Sequence, residues 1–425
     1  MTSHPTSESL RAPDPGSKLA SGQWLVLIAA FLGWMFDGYE QGLFPVVARP
    51  ALRDLLHGAG DGPVAHWMGI ITACFLVGAA LGGITFGWLG DRIGRVRAMS
   101  ASILVYSLVT GLAYFATEPW HLGLVRFVSA IGMGGQWALG VALVMECWPE
   151  KWRPALASAM GAAANFGFLL VSVMARGHAV TVESWRWMMV VAALPAFLVV
   201  FIIACVPESK RWKAAMKEAP DVNPVKAVFA AGLARKTILG IIFASIALIG
   251  TWGSVTWLPL WADQMVGGLK PMAKADTQIV QAIGSIFGAV IAPQIGARLG
   301  RRPAFFLLCA ASLTVCALLF QTVHAFGPTF LVYAFFVNAA TASFYGWFPL
   351  YLPELFPTRV RATGQGVCYN SGRLLAAAGA LTQGQLVAFF SGSYAKAGSV
   401  VTLVYLAGMA LIWLAPETKG RPLPE

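Results

Sequence analysis

The chain has 425 residues, of which 57% are apolar and 12% charged, and its formal net charge is +11. A soluble chain carries roughly a quarter charged residues, so this one cannot cover the polar surface of the two or three soluble domains its length would otherwise make. The excess of positive charge fits either a nucleic-acid binder or basic loops beside a membrane, and its placement along the chain decides between them.

Residues 1–21 are polar and rich in Ser and Pro, and are expected to form a disordered tail. No basic-then-apolar leader stands before the first long apolar run, so the amino end is expected to remain cytoplasmic. A membrane-crossing helix needs about 20 mostly apolar residues. Twelve stretches qualify in chain order: 23–47, 67–90, 97–117, 121–146, 153–175, 185–206, 236–261, 277–298, 303–323, 327–351, 362–390 and 396–415. With the amino end inside, the cytoplasmic segments hold 21 of the 30 Lys and Arg, and the outer segments seven. That asymmetry sets the orientation and accounts for the net charge without nucleic acid. The longest connection, 207–235, separates six spans at 22–206 from six at 236–415, and 416–425 is expected to be a cytoplasmic tail. The six cysteines lie in or beside apolar stretches without a CxxC pair, so no metal site, disulfide framework or cofactor is expected.

The halves repeat. Asp91-Arg92-Ile93-Gly94-Arg95 aligns with Ala297-Arg298-Leu299-Gly300-Arg301. Glu146, Pro149 and Arg153 align with Glu354, Pro357 and Arg361, and Pro207-Glu208-Ser209-Lys210 aligns with Pro416-Glu417-Thr418-Lys419. Parallel six-helix repeats related by an axis along the membrane normal are a recognised transporter design, with substrate bound between them near the midplane.

Gly87-Trp88-Leu89-Gly90-Asp91-Arg92-Ile93-Gly94-Arg95 resembles the loop signature of the major facilitator superfamily. Pro207-Glu208-Ser209 and Pro416-Glu417-Thr418-Lys419-Gly420-Arg421 look like sugar-porter marks. The stretch from Pro353-Glu354-Leu355-Phe356-Pro357 to Arg361-Ala362-Thr363-Gly364 resembles that of organic-acid/proton symporters, and Asp37-Gly38-Tyr39-Glu40 is similar to the DGxD motif of aromatic-acid/proton symporters. Glu40 departs from the second Asp of that motif. The sugar-porter glutamine pair of span seven is replaced by Ile249-Gly250-Thr251-Trp252, and the proline-glycine mark of drug antiporters is absent from span five. The resemblance implies an all-α membrane protein of twelve helices in two six-helix bundles, working by alternating access.

Ionisable groups inside a span are costly and mark function. Asp37 and Glu40, three residues apart, share a face of span one. Arg126 lies in span four, and both Glu40 and Arg126 are expected about 8–10 Å from the outer ends of their helices. A carboxylate that exchanges an arginine for a proton would couple transport to a proton gradient; a fixed ion pair would only hold spans one and four together. The resemblance implies the coupling role. The histidines fall in the tail or near outer loops and are poorer proton carriers. Arg373 in span eleven needs an acidic neighbour or an anionic substrate. Gln136, Asn165 and Tyr345 are candidate hydrogen-bonding residues, and Trp34, Trp137, Trp252 and Trp347 candidate walls.

In the loop motif Gly87, Gly90 and Gly94 permit a tight turn and close approach. Asp91 is placed to meet a helix amino end across the halves, and Arg92 and Arg95 to reach Glu146 or Glu354, with Arg153 and Arg361 as counterparts. The resemblance implies that this network locks the cytoplasmic side. The second copy, with Ala297 in place of the acid, should lock less firmly. No metal cluster, nucleophile elbow or phosphate loop supports an enzyme. The expectation is a monomeric, multi-pass inner-membrane symporter of protons and a small organic anion: a monocarboxylate, aromatic acid or sugar acid. A sugar transporter is the alternative.

Overall fold

The computed structural model describes the backbone of residues 21–425 apart from Ala59, Ala179, 219–222 and 268–271, and the side chains of these apart from 61, 65, 377, 379–384 and 388. All but the end of the 1–21 tail lies outside the described residues. Twelve helical rods follow in order: α1 (Ser21–Leu55), α2 (Gly62–Ile93), α3 (Arg95–Phe115), α4 (Pro119–Cys147), α5 (Glu150–Gly177), α6 (Arg186–Cys205), α7 (Ala234–Val266), α8 (Ala273–Leu299), α9 (Arg301–Thr322), α10 (Pro328–Glu354), α11 (Arg361–Phe389) and α12 (Tyr394–Leu414). Each covers one expected span. At about 1.5 Å per residue a rod of 20 residues crosses the roughly 30 Å apolar layer of a bilayer.

The patterning is that of a protein in lipid. Phe197, Val200 and Ile203 of α6 are 67–74% exposed, whereas Arg95, Arg126 and Arg361 are at most 2% exposed. Apolar side chains on the outside and charge on the inside suit hydrocarbon solvent. Among the described residues ten rods are long and apolar enough to cross a membrane, by length and composition. The other two, α1 and α11, carry Asp37, Glu40, Asn370 and Arg373, and they line the space between the halves.

The largest departure from the expected bounds is at the end of α1. The first span was expected to stop at 47, yet α1 continues to Leu55 through Pro45 and Pro50. Ala48, Ala51, Leu52 and Leu55 pack with Trp185, Met188 and Met189 of the α6 region, and this burial holds the extra turns.

The sequence repeat is a repeat of packing. The carbonyl of Ile131 in α4 sits 1.9 Å from where a Cβ on Gly82 of α2 would stand; that of Ala339 in α10 sits 1.8 Å from the same point on Gly288 of α8. Glycine thus sets how closely each pair of rods approaches. Gly94 and Gly300, at φ +106° and +102°, turn α2 into α3 and α8 into α9. Between the halves α2 packs on α11, and α8 on α5.

Candidate transport cavity and gate

The face that carries the 207–233 connection, called here the connection face, is closed by charge. Asp91 ends α2 against the start of α11. Its Oδ2 accepts from Thr363 N (2.8 Å) and Thr363 Oγ1 (2.5 Å), and its Oδ1 from Ala362 N (3.3 Å). Those amides have no partner within α11 and lie at the positive end of its dipole. Arg95 is 2.8 Å from Asp91 Oδ1, donates to the Gly90 and Thr358 carbonyls, and reaches Glu146 Oε1 at 3.1 Å. The same oxygen accepts from Arg361 Nη1 of the other half at 2.9 Å. In the second copy Arg301 forks onto both oxygens of Glu354 (3.0 and 2.7 Å) and bonds the Gly296 carbonyl, as Arg95 bonds that of Gly90. Arg153 of the first half stands 3.8 Å from Glu354.

Gly87 and Gly90 lie where α2 runs against its neighbours: an added Cβ would stand 2.9 Å from the Ala362 carbonyl at Gly87 and 2.1 Å from the Leu139 side chain at Gly90. Arg92 stands apart. It is exposed, with its guanidinium 5.2 Å from the Trp88 ring, and does not reach Glu146 or Glu354. Arg92 lies in the last turn of α2 and Arg95 opens α3 beyond the Gly94 turn, so the two side chains leave in different directions.

Beyond this seam a cavity of about 310 Å³ opens between the halves toward the opposite face. That volume suits a small organic solute. Of the residues named from sequence, Asn165, Tyr345 and Arg373 line it, with Trp34 and Trp252 as walls. Two others do not. Gln136 is fully buried inside the first half, where its Oε1 accepts from Ser102 Oγ. Trp347 is fully buried nearer the connection face, against Phe305 and Tyr351, with Nε1 donating to the Arg301 carbonyl at 3.2 Å. In each case the helix was placed correctly and the side chain falls on its other face. Trp137 stacks on Tyr369 with ring centroids 4.6 Å apart. Sequence reasoning missed Tyr369, Gln41, Gln278, Gln281 and Asn338 of the lining. For Tyr369 a signal existed: it precedes Arg373 by one helical turn.

Arg373 is the cation of this cavity's lining. Its Nη1 donates to Asn370 Oδ1 at 3.1 Å, and its guanidinium lies 4.9 Å from the Tyr369 ring centre. Both neighbours are neutral, and no carboxylate among the described residues ion-pairs with it. Asp37 of α1 lies within its electrostatic range, across the boundary between the halves. Asp37 is fully buried, and neither of its oxygens has a hydrogen-bond partner among the described residues.

Three residues along α1 the situation reverses. Glu40 pairs with Arg126 of α4, and its Oε1 also accepts from Thr110 Oγ1 (2.7 Å) and Ser129 Oγ (3.3 Å). Arg126 Nη2 donates to the Glu40 carbonyl at 3.2 Å, and the guanidinium lies 4.4 Å from the Phe75 ring centre. Glu40 is therefore a saturated acid inside the first half, and Asp37 an unsaturated one facing the second. A water-sized space of about 10 Å³ is lined by Gln41, Phe75 and Arg373 among others.

Residues 23–380 match the Major Facilitator Superfamily. The chain belongs to that superfamily. It is a multi-pass membrane transporter of small solutes and not an enzyme. The chain is 31% identical over 394 residues to the inner membrane metabolite transport protein YgcS of Escherichia coli K12, covering 84% of each. It is 26% identical to the cis,cis-muconate transport protein of Acinetobacter baylyi, over 87% of this chain and 89% of that one. Among solved structures the proton:xylose symporter XylE superposes with a TM-score of 0.75 at 19% identity, covering 95% of this chain and 98% of that one. At that identity the likeness speaks for the major facilitator fold alone.

Proposed function

We propose that this protein carries a small organic anion together with protons across a bacterial inner membrane by alternating access. The anion is a monocarboxylate, an aromatic acid or a sugar acid. The observation that carries this reading is Arg373, a cation lining the cavity whose hydrogen-bond partner is a neutral amide. A buried cation without a bonded counter-charge is costly, and a bound carboxylate relieves that cost. Trp34, Trp252, Tyr345 and Tyr369 supply flat walls for an aromatic or otherwise unsaturated acid. The resemblance of Asp37–Glu40 to the aromatic-acid symporter motif and the muconate carrier among the relatives support the same class.

In this reading Asp37 carries the proton. It lies near Arg373 without bonding it, so substrate and Asp37 compete for one cation, and a proton on Asp37 releases Arg373 to the substrate. Glu40 and Arg126 form the fixed wall behind it. The seam of Asp91, Arg95, Glu146, Arg153, Glu354 and Arg361 keeps the cytoplasmic side shut while the cavity faces outward, and opens when the halves rock. The basic residues gathered on the connection face support a cytoplasmic position for that face.

A second reading is a sugar carrier of the same superfamily. It is favoured by the neutral polar lining of Gln41, Asn165, Gln278, Gln281 and Asn338, which suits hydroxyl groups. Uptake into proteoliposomes, with and without an inward proton gradient, over a panel of carboxylates and sugars separates the two. Gradient-driven accumulation of a carboxylate is expected. Equilibration of a sugar, indifferent to the gradient, would overturn the anion and coupling assignments together.

A further inference from the structure

The two copies of the gate are unequal. In the first, Asp91 of α2 clamps the amino end of α11. The matching position at the end of α8 is Ala297, which has no acceptor to offer the start of α5. The chain beyond α12 is first held within the second half, much as Glu208 accepts from Val96 N (3.0 Å) within the first. Glu417 accepts from Arg301 N and Arg302 N at the start of α9 (2.9 and 3.1 Å), and Thr418 Oγ1 donates to Glu354 Oε2 at 2.6 Å. The chain then turns. Arg421 N donates to the Thr418 carbonyl at 3.1 Å, with Gly420 at φ +76°, a geometry that asks for glycine at this place in a turn. The corresponding stretch of the first half has no such turn and continues into a helix, Lys210–Glu218.

The turn sends 421–424 back across the boundary between the halves. The Arg421 carbonyl accepts from Arg153 Nη1 at 3.2 Å, and Leu423 N donates to Glu150 Oε1 at 3.3 Å, both on the first half. The Pro424 carbonyl accepts from Arg361 Nη2 at 2.7 Å, on the second. Leu423 itself is 4% exposed in a segment whose neighbours are half-buried or open. One buried leucine and two carbonyls therefore hold the arginines that flank the seam, one from each half.

We infer that 421–424 is a strap across the second seam that takes the place of the missing acid at 297, positioning Arg153 and Arg361 and biasing the transporter toward the state closed on the connection face. Leu423 and the carbonyls of Arg421 and Pro424 are positioning groups, because they act through the two arginines and touch no substrate. The strap must release whenever the halves part on this side, since its partners lie on both. The inference rests on the alternating-access reading and not on the identity of the substrate.

The test is a distance measurement that needs no substrate. Spin labels at Arg97 and Arg298, both exposed at the connection-face ends of their helices, report how far the halves stand apart there. Deleting 421–425, which removes the bonds to Arg153, Arg361 and Glu150, is expected to raise the ratio of open to closed by at least about tenfold, the effect of losing even one charge-assisted hydrogen bond. Leu423→Asp should do the same, and Leu423→Met should restore the wild-type distribution. Unchanged distributions in the deletion and in Leu423→Asp, for protein that purifies as a single species, would overturn the strap while leaving alternating access intact. A wild type with one fixed distance under every gradient would overturn both. If the deletion does not fold, Leu423→Asp against Leu423→Met decides alone.

Discussion

Two carboxylates three residues apart on one helix have opposite surroundings, and this separates their roles. Glu40 has a guanidinium and two hydroxyls on one oxygen, whereas Asp37 has no partner among the described residues on either. Removing one member of a buried pair strands the other at about 3–5 kcal/mol. Arg126→Ala is therefore expected to lower the melting temperature of the detergent-solubilised protein sharply, and Asp37→Asn to leave it within a few degrees of wild type. In transport the order reverses: Asp37→Asn should abolish gradient-driven accumulation but keep substrate exchange down its own gradient. Normal accumulation in that variant would remove Asp37 from the coupling step. Arg373→Ala should weaken anion binding by about 10–100-fold, the scale of one charge-assisted bond, and spare neutral sugars; equal loss for both classes counts against the anion reading. Outside the spans, burial works to raise the Glu417 carboxyl, but the amides of Arg301 and Arg302, with those of Lys419 and Thr418, hold it below the ordinary glutamate value. Its contribution to stability is thus present at neutral pH and lost as pH falls through that lowered value. Glu417→Gln should melt below wild type at pH 7, with the gap closing below about pH 4.

Among the elements, the decisive contacts are those between α2 and α11 and between α2 and α4. Asp91 joins the first pair through two amides and a hydroxyl of the opposite half. Asp91→Ala should let an impermeant thiol reagent reach a cysteine introduced at Thr363 from the connection face more quickly, and an unchanged labelling rate would show that this clamp does not gate. The α2–α4 contact has no room for a side chain at Gly82, so Gly82→Ala is expected to cost about 1–3 kcal/mol by overpacking, read as a lower melting temperature. The spans were legible in the sequence because lipid demands a long apolar run for each, a condition that composition alone reveals. The helix ends were less so. Pro45 and Pro50 imply an early stop for α1, and only packing on the α6 region carries it to Leu55.

For the whole molecule, the sequence by itself determined the twelve spans, the two-fold repeat and a face rich in Lys and Arg, since each depends on residues near one another in the chain or on composition. Its charge asymmetry also predicts orientation: a cysteine at Lys396 should be labelled from outside intact cells and one at Lys217 should not. Tertiary structure decided which buried charges meet. Spacing along one helix could not choose between Asp37 and Glu40 as the partner of Arg126, nor foresee that Arg373, more than 300 residues away in the chain, comes near Asp37. It likewise could not tell that Trp347 and Gln136 turn from the cavity while Tyr369 and Gln41 face it. A helix places a side chain every 100° or so around its axis, and which direction becomes cavity, core or lipid depends on where the neighbouring helices stand.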